Sequence, residues 1–423
     1  MRTKPDGLDG AIMAVESISD AVAFLHGPGG CRVRLMVHST AVFPRLTGEP
    51  DENYYIPYYN GYPRVPATYL DEYDYINGAY YKVEEGLGVL DSKDPGLVVI
   101  INSPGAALIG DNHERAIIEA GMADRAIYMD ESLVSMPMAP SYGHTLAAIM
   151  EHLDPERDDV RGKGVILLGL TILDKDWLYV RDELSGMLGS MGLHVMCAPG
   201  AGASLEDLND SVNAEYAVVV CPEVCSGLSD YYESRGVKVI SSPMGAPVGF
   251  DAIRCWLGTV AEATGSDPSI PLAEVDRTES KIRDKLAGMK YNALRIKGMS
   301  FSAAGVASVI RPLTEWMYNY LAMAPVAVTV DPGADPEQTE ALRRFLESID
   351  YAESFGKEPL AGSGAVLCEG ITAATMEVNG SCKVGIPIGH SSLGLDDVIP
   401  RPVFGLQGVM YIMDEMMHGV RGS

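Results

Sequence analysis

Along the chain, short runs of branched apolar residues alternate with longer stretches whose apolar positions recur every three or four residues, the pattern of parallel-sheet α/β units. Ala21–Leu25 runs straight into a Gly-rich turn at His26–Cys31 (HGPGGC). Leu97–Asn102 (LVVIIN) predicts a buried strand, followed by SPGAALIGDN and a helix from about His113. Ala126–Met129 reads as a short strand and Gly143–Leu153 as a helix. A second series opens at Gly164–Leu170, after the polar stretch DPERDDVRGKG. It continues with a helix near Trp177–Met191 and strands at Leu193–Cys197, Ala217–Cys221 and Val237–Ser241, and PMGAPVGFDAIRCWLGTV then leads into a helix. The charged segment Asp267–Lys290 reads as a helical linker. A third series begins near Ala293, with a strand at Val326–Val330 and a helix at Glu337–Ile349, and ends near Lys383–Ile388. Arg401–His418 predicts an amphipathic helix packing back on another lobe.

The fold class expected is therefore α/β, with three Rossmann-like lobes built on parallel sheets. Residues 1–160 form the lobe with the Gly-rich turn, 161–290 a second lobe with its helical linker, 291–400 a third, and 401–423 the returning helix. A length of 423 residues exceeds what one core serves, which agrees with several lobes. Apolar residues make up 47% and charged residues 21%, a globular composition. No apolar run approaches the roughly 20 residues that cross a bilayer, and MRTKPDGLDG holds no hydrophobic signal core, so neither a membrane nor secretion is expected. Seven cysteines at scattered spacings suit reduced thiols or metal ligands in a cytoplasm better than a disulfide framework. A formal charge of −26 argues against a nucleic-acid partner, because phosphate binding needs clustered Lys and Arg; an acidic host proteome explains the charge equally well.

Candidate chemistry concentrates at the first turn. Gly27, Pro28, Gly29 and Gly30 place Cys31 at a strand-to-helix junction, where glycine permits positive φ or close backbone approach and the helix start favours an anion. A thiolate there would be ready to bind metal; a buried cysteine in an ordinary βα turn is the other reading of these residues. GxGxxG spacing is absent and no Gly-Lys-Ser/Thr follows, so neither dinucleotide nor ATP binding is expected on this chain. Cys221 and Cys225 (VVVCPEVCSGL) are the second constellation, at a strand end, with the choice open between ligands and core cysteines. Residues 54–81 hold ten of the 21 tyrosines, with Pro57, Pro63 and Pro66 among them. Such a stretch suits a flat macrocycle or a subunit contact, or an aromatic loop wrapping its own domain. His38, His113, His144 and His390 lie near expected element ends without i, i+4 metal spacing, and read as hydrogen-bonded structural histidines.

HGPGGCR resembles the GPxGC cluster-ligand motif of the nitrogenase component 1-like family. That family includes nitrogenase subunits, their cofactor scaffolds, dark-operative protochlorophyllide and chlorophyllide reductases and the reductive cyclase of coenzyme F430 synthesis. Further resemblances follow in order: DYINGAYYKVEEGL (Asp74–Leu87), VVIINSPGAALIGDNHE (Val98–Glu114), APVGFDAIRCWL (Ala246–Leu257) and RPVFGLQGVMYIMDEM (Arg401–Met416). Where family members with large clusters carry a cysteine before the proline of the second element, this chain has Ser103, a candidate oxygen ligand or a cap of the following turn. No cysteine lies between Cys31 and Cys197. One thiolate cannot satisfy a cluster that takes four ligands, so the resemblance implies an iron–sulfur cluster, [4Fe-4S] in kind, shared between subunits of a homodimer or a pseudo-two-fold heterodimer. Gly27, Pro28, Gly30, Cys31 and Ser103 are then the cluster-binding residues. Cys221 falls where the catalytic nitrogenase subunit places a cofactor-ligating cysteine, while that cofactor's histidine would fall near Phe404.

The function implied is the iron–sulfur subunit of a two-component, ATP-dependent reductase. A separate P-loop iron protein of the nitrogenase reductase type would deliver low-potential electrons to reduce a substrate, a tetrapyrrole by resemblance, in an inter-lobe cleft. The alternative is a non-catalytic scaffold or carrier for a metallocluster or tetrapyrrole.

Overall fold

A computed structural model describes residues 5–42, 58–59, 62–92, 94–129, 133–158, 160–288, 296–389 and 398–420. The chain divides into two compact units. The first comprises Met1–Val160, Cys197–Asn213 and Val224–Val237; the second comprises Arg161–Met196, Ala214–Glu223 and Lys238–Ser423. The predicted lobe at residues 1–160 thus recruits two later segments into its unit, while both later sheets share the other.

In the first unit β1 (Ala21–His26) precedes a short antiparallel hairpin, β2 (Tyr58–Tyr59) and β3 (Tyr62–Pro63). β4 (Leu97–Asn102) and β5 (Ala126–Met129) follow, and the main sheet is parallel in the order β1-β4-β5. All six residues of β1 and all six of β4 are buried, as expected for strands covered on both faces. The helices are α1 (Gly7–Glu16), α2 (Gly29–Val42), α3 (Glu72–Asn77), α4 (Tyr80–Asp91), α5 (Ala106–Ile109), α6 (His113–Glu119) and α7 (Met138–Leu153). Asp6 with Asp9 and Asp71 with Asp74 form capping boxes that start α1 and α3. One core joins Phe24 and Ile100 of the sheet to Val83 and Leu87 of α4 and Ile117 of α6. A Cβ on Gly86 would lie 2.3 Å from the Phe24 ring, so α4 lies flush on β1 only because that residue is glycine. Leu205 N–H donating to Asp20 Oδ1 (2.9 Å) ties the first returning segment in, and the Ser211–Tyr232 hydroxyl pair (2.8 Å) joins it to the second.

The second unit holds two four-stranded sheets. β6 (Arg161–Leu168), β7 (His194–Cys197), β8 (Ala214–Val219) and β9 (Lys238–Ile240) lie in the order β7-β6-β8-β9, with helices α8 (Trp177–Ser190), α9 (Phe250–Thr264) and α10 (Ser269–Gly288). β10 (Ser300–Gly305), β11 (Ala324–Val330), β12 (Ala365–Cys368) and β13 (Val384–Pro387) form a parallel sheet in the order β11-β10-β12-β13. Helices α11 (Ala307–Leu321), α12 (Pro336–Ser348) and α13 (Gly370–Val378) accompany it. Both sheets place their first strand inside the second, the topology that opens a crevice at strand carboxyl ends. The final helix α14 (Gly405–Gly419) packs against α8, α9 and β13, as an amphipathic terminal helix should. Glu183 of α8 accepts the Leu406 and Gln407 N–H groups (2.9 and 3.3 Å), and Asp176 accepts Arg401 N–H (2.6 Å).

β4 and β5 coincide with their predicted spans, whereas β8 ends at Val219, so Cys221 stands beyond the strand rather than closing it. β10 (SFSAAG) lacks the branched apolar residues that announce a strand and was not expected. The expected start of the third lobe at Ala293 falls outside the described residues, as do Tyr54, Tyr55, Pro57 and His390.

Candidate functional site

The site follows from one register. β1 and β4 are parallel neighbours with His26 opposite Asn102, so the turns that leave them, Gly27–Gly30 and Ser103–Gly105, emerge side by side. Ser103 N–H donates to the His26 carbonyl (2.8 Å), which joins the two turns at their base. Gly27 is required here by proximity: a Cβ would stand 2.8 Å from both Cβ and Oγ of Ser103. A Cβ on Gly29 would lie 3.1 Å from the Tyr69 ring, while one on Gly30 would meet nothing within 4 Å among the described residues. None of these three glycines adopts positive φ, so of the two properties expected of them it is close approach that the turn uses.

Cys31 is half-buried in the first turn of α2, its N–H bonded to the Pro28 carbonyl (3.2 Å). Ser103 is buried and its Oγ accepts Ala106 N–H (3.4 Å), the turn-capping geometry expected of that residue. The structure therefore brings Gly27, Pro28, Gly30, Cys31 and Ser103 together. It adds Tyr75 of α3, whose ring rests on Gly105 so closely that a Cβ there would be 2.7 Å from Cε1. Burial raises the Tyr75 phenol above its ordinary value; a hydrogen bond with Ser103 opposes that rise and the nearby Cys31 adds to it. Sequence reasoning missed Tyr75 because it is one of ten tyrosines in its stretch; its spacing from Ser103 carries no signal, and only the glycine in SPG hints at an incoming ring.

Behind the turn lies a polar network. His26, fully buried, has Nε2 3.0 Å from Asp111 Oδ2 and Nδ1 3.0 Å from Thr68 Oγ1, which also accepts Gly27 N–H at 3.0 Å. Burial lowers the His26 imidazole below its ordinary value against the opposing pull of Asp111. His113 Nε2 meets Asn102 Oδ1 at 2.8 Å and its ring packs edge-on against His26, a structural role. His38 faces Asp9 at 3.7 Å.

Cys221, in the second unit, is buried beside Glu223, with Sγ donating to Oε2 at 3.2 Å and lying 3.3 Å from Ser308 Oγ. Glu223 also accepts Ser308 N–H (2.8 Å), its hydroxyl (2.5 Å) and Asp335 N–H (3.4 Å). Burial, reinforced by the Glu223 charge, pushes the Cys221 thiol well up. Pro222–Val224 forms a 3₁₀ turn, and Cys225 beyond it is buried in the first unit.

Among the described residues, no three His, Cys, Asp or Glu side chains are grouped to hold a metal ion. At this turn the chain presents one half-buried thiol, with a hydroxyl and a phenol beside it and room for a Cβ at Gly30. That donor set fits part of an iron–sulfur cluster and needs more ligands than one chain supplies here. No described helix is long and apolar enough to cross a membrane.

The sequence matches the nitrogenase component 1 type oxidoreductases over residues 7–360. Among solved structures, nitrogenase Cp1 at pH 6.5 is similar with a TM-score of 0.79 at 13% identity, over 100% of this chain and 94% of that one. Nitrogenase Cp1 at pH 5 gives 0.69 at 15% identity, over 100% and 90%. At such identities the likeness is one of fold. No curated protein matches the sequence.

Proposed function

The chain belongs to the nitrogenase component 1 type oxidoreductase family, and on that premise we propose that it is the iron–sulfur subunit of a two-component, ATP-dependent reductase. The observation that carries this reading is the half-buried Cys31 at the start of α2, beside Ser103 and Tyr75 and with room for a Cβ at Gly30. In this reading Cys31 supplies the thiolate and the Gly27–Gly30 backbone leaves room for the cluster, with Ser103 an oxygen donor at its flank. A second chain, identical or related by a pseudo-two-fold, completes the ligand set of a shared [4Fe-4S] cluster. Val33 two residues after Cys31, Ile76 beside Tyr75 and Leu108 in α5 are exposed apolar residues that suit a subunit contact. The cluster, when bound, stores and passes single electrons at low potential.

ATP enters through a partner, since this sequence has no Gly-Lys-Ser/Thr phosphate loop. That partner is a P-loop iron protein, and the substrate class proposed is a tetrapyrrole, with the cytoplasm as the place of action. Cys221 enters this reading as a second, separate metal position that binding would have to free from Glu223. The test is substrate reduction by anaerobically purified protein with and without an iron protein and MgATP. Turnover that requires both supports the reading. Full turnover with a chemical donor alone removes the two-component assignment, and a bound cluster without any turnover leaves a scaffold or carrier.

A further inference from the structure

The His26–Asp111 pair lies outside the ligand set, yet every polar atom of it is committed. Asp111 receives Ala79 N–H on both oxygens (3.1 and 3.0 Å) and Tyr80 N–H on Oδ1 (3.1 Å), which fixes the carboxylate at the start of α4. Both carboxylate oxygens therefore already serve as acceptors of N–H groups, and Oδ2 in the same role takes a hydrogen from His26 Nε2, 3.0 Å away. At the other ring nitrogen, Thr68 Oγ1 already accepts Gly27 N–H, and its own hydroxyl hydrogen is directed to His26 Nδ1. Thr68 is itself anchored alongside β1, with its N–H on the Leu25 carbonyl (3.1 Å) and Leu70 N–H on the Gly27 carbonyl (3.1 Å). The chain of bonds therefore runs from the α4 start through Asp111, His26 and Thr68 to the first peptide of the turn that carries Cys31.

We propose that Asp111, His26 and Thr68 are positioning residues for the Cys31 turn, with His26 held as the Nε2–H tautomer so that its Nδ1 takes the Thr68 hydroxyl and leaves Thr68 free to grip Gly27. Two segments that are distant in the chain, HGPGGC and IGDN, are on this account one device. A hydrophobic contact would leave the glycine turn free to slide, because Gly27 has no side chain to hold. A directional bond to its peptide N–H sets both its place and its orientation. This inference rests on the reading of Cys31 as the site's thiol, and its tests use the metal-free protein, so they remain decisive if the cluster assignment fails.

Two measurements test it. Selective ¹⁵N-histidine labelling of the unmodified protein reads the tautomer at each histidine, and the expected result is an Nε2–H signature for His26. The second is the alkylation rate of Cys31 by iodoacetamide, mapped by mass spectrometry. Thr68→Val should change that rate by about fivefold, the factor equivalent to one lost hydrogen bond, and Thr68→Ser should restore it. A general structural role would lower the melting temperature in both variants without this split. An Nδ1–H tautomer at His26, or a folded Thr68→Val protein alkylating at the unmodified rate, overturns the proposal. Should Thr68→Val fail to fold, the tautomer in the unmodified protein decides alone.

Discussion

Cys31 and Cys221 both follow a strand of a parallel sheet, and the structure treats them in opposite ways. Cys31 stands half-buried at a helix start with room for a Cβ at Gly30. Cys221 is buried against Glu223 and Ser308, where its thiol is a hydrogen-bond donor and Glu223 ties the end of the second sheet to the start of α11 in the third. The difference lies in neighbours rather than in local sequence. Glycines keep one cysteine clear, while a carboxylate two residues on encloses the other. A cysteine at a strand end becomes a ligand or a clasp according to what the next element brings to it.

The largest expected effect separates the two cysteines directly. Cys31→Ala should lose most of the iron of anaerobically purified protein while stability stays within about 0.5 kcal/mol, as for other partly exposed positions. Iron and sulfide per chain, with urea unfolding of the same samples, measure both halves. Retention of full iron would break the contrast at its open end.

Glu223→Ala should do the reverse, leaving iron unchanged but removing the acceptor of several buried donors, at roughly 3 kcal/mol of stability. Cys221→Ser keeps a donor for Glu223 and should cost about 1 kcal/mol or less. The iron content of Cys221→Ser decides between this clasp and the second metal position: unchanged iron keeps the clasp, and a fall makes Cys221 a ligand.

The enclosed unit also carries the pH dependence. Burial raises Glu183 from 4.5 to about 7, against the bonds from Leu406 and Gln407. Between those values the folded chain holds a proton that the unfolded chain has lost. Stability from this group is thus full below pH 4.5 and declines as pH rises to about 7. The loss should reach roughly 2–3 kcal/mol and vanish in Glu183→Gln, as read by urea midpoints across that range. Asp174, raised by burial to about 6, should add a smaller decline in the same direction.

The smallest effect sharpens the open end. Gly30→Ala should be neutral within about 0.5 kcal/mol, since its Cβ meets nothing, whereas Gly27→Ala drives a methyl against Ser103 and should cost about 1–2 kcal/mol. Equal effects would mean that the two turns do not meet as described.

Much of this was legible in the chain alone. LVVIIN and AIYM are strands because fully covered parallel strands are apolar at every position, and a run of that kind needs no partner to be recognised. Cys31 and Ser103 are paired through the resemblance, the one within HGPGGCR and the other where family members with large clusters carry a cysteine. SFSAAG escaped notice because its small residues owe their strand to neighbours on both sides, β11 and β12. The segments Cys197–Asn213 and Val224–Val237 look like ordinary parts of a second lobe, and their return to the first unit depends on bonds such as Asp20 to Leu205, 185 residues apart.

Sequence by itself therefore determined the α/β class, the parallel strands, the Gly-rich turn with its one cysteine and the absence of a phosphate loop, because these depend on local sterics and hydrophobic period. Tertiary structure decided which groups surround each cysteine. Tyr75 reaches Ser103, Asp111 reaches His26 over 85 positions, and Ser308 reaches Glu223 over the same separation. Hydrogen bonds between such distant residues follow from strand register and helix placement, and neither is encoded in the few residues that flank the groups they join.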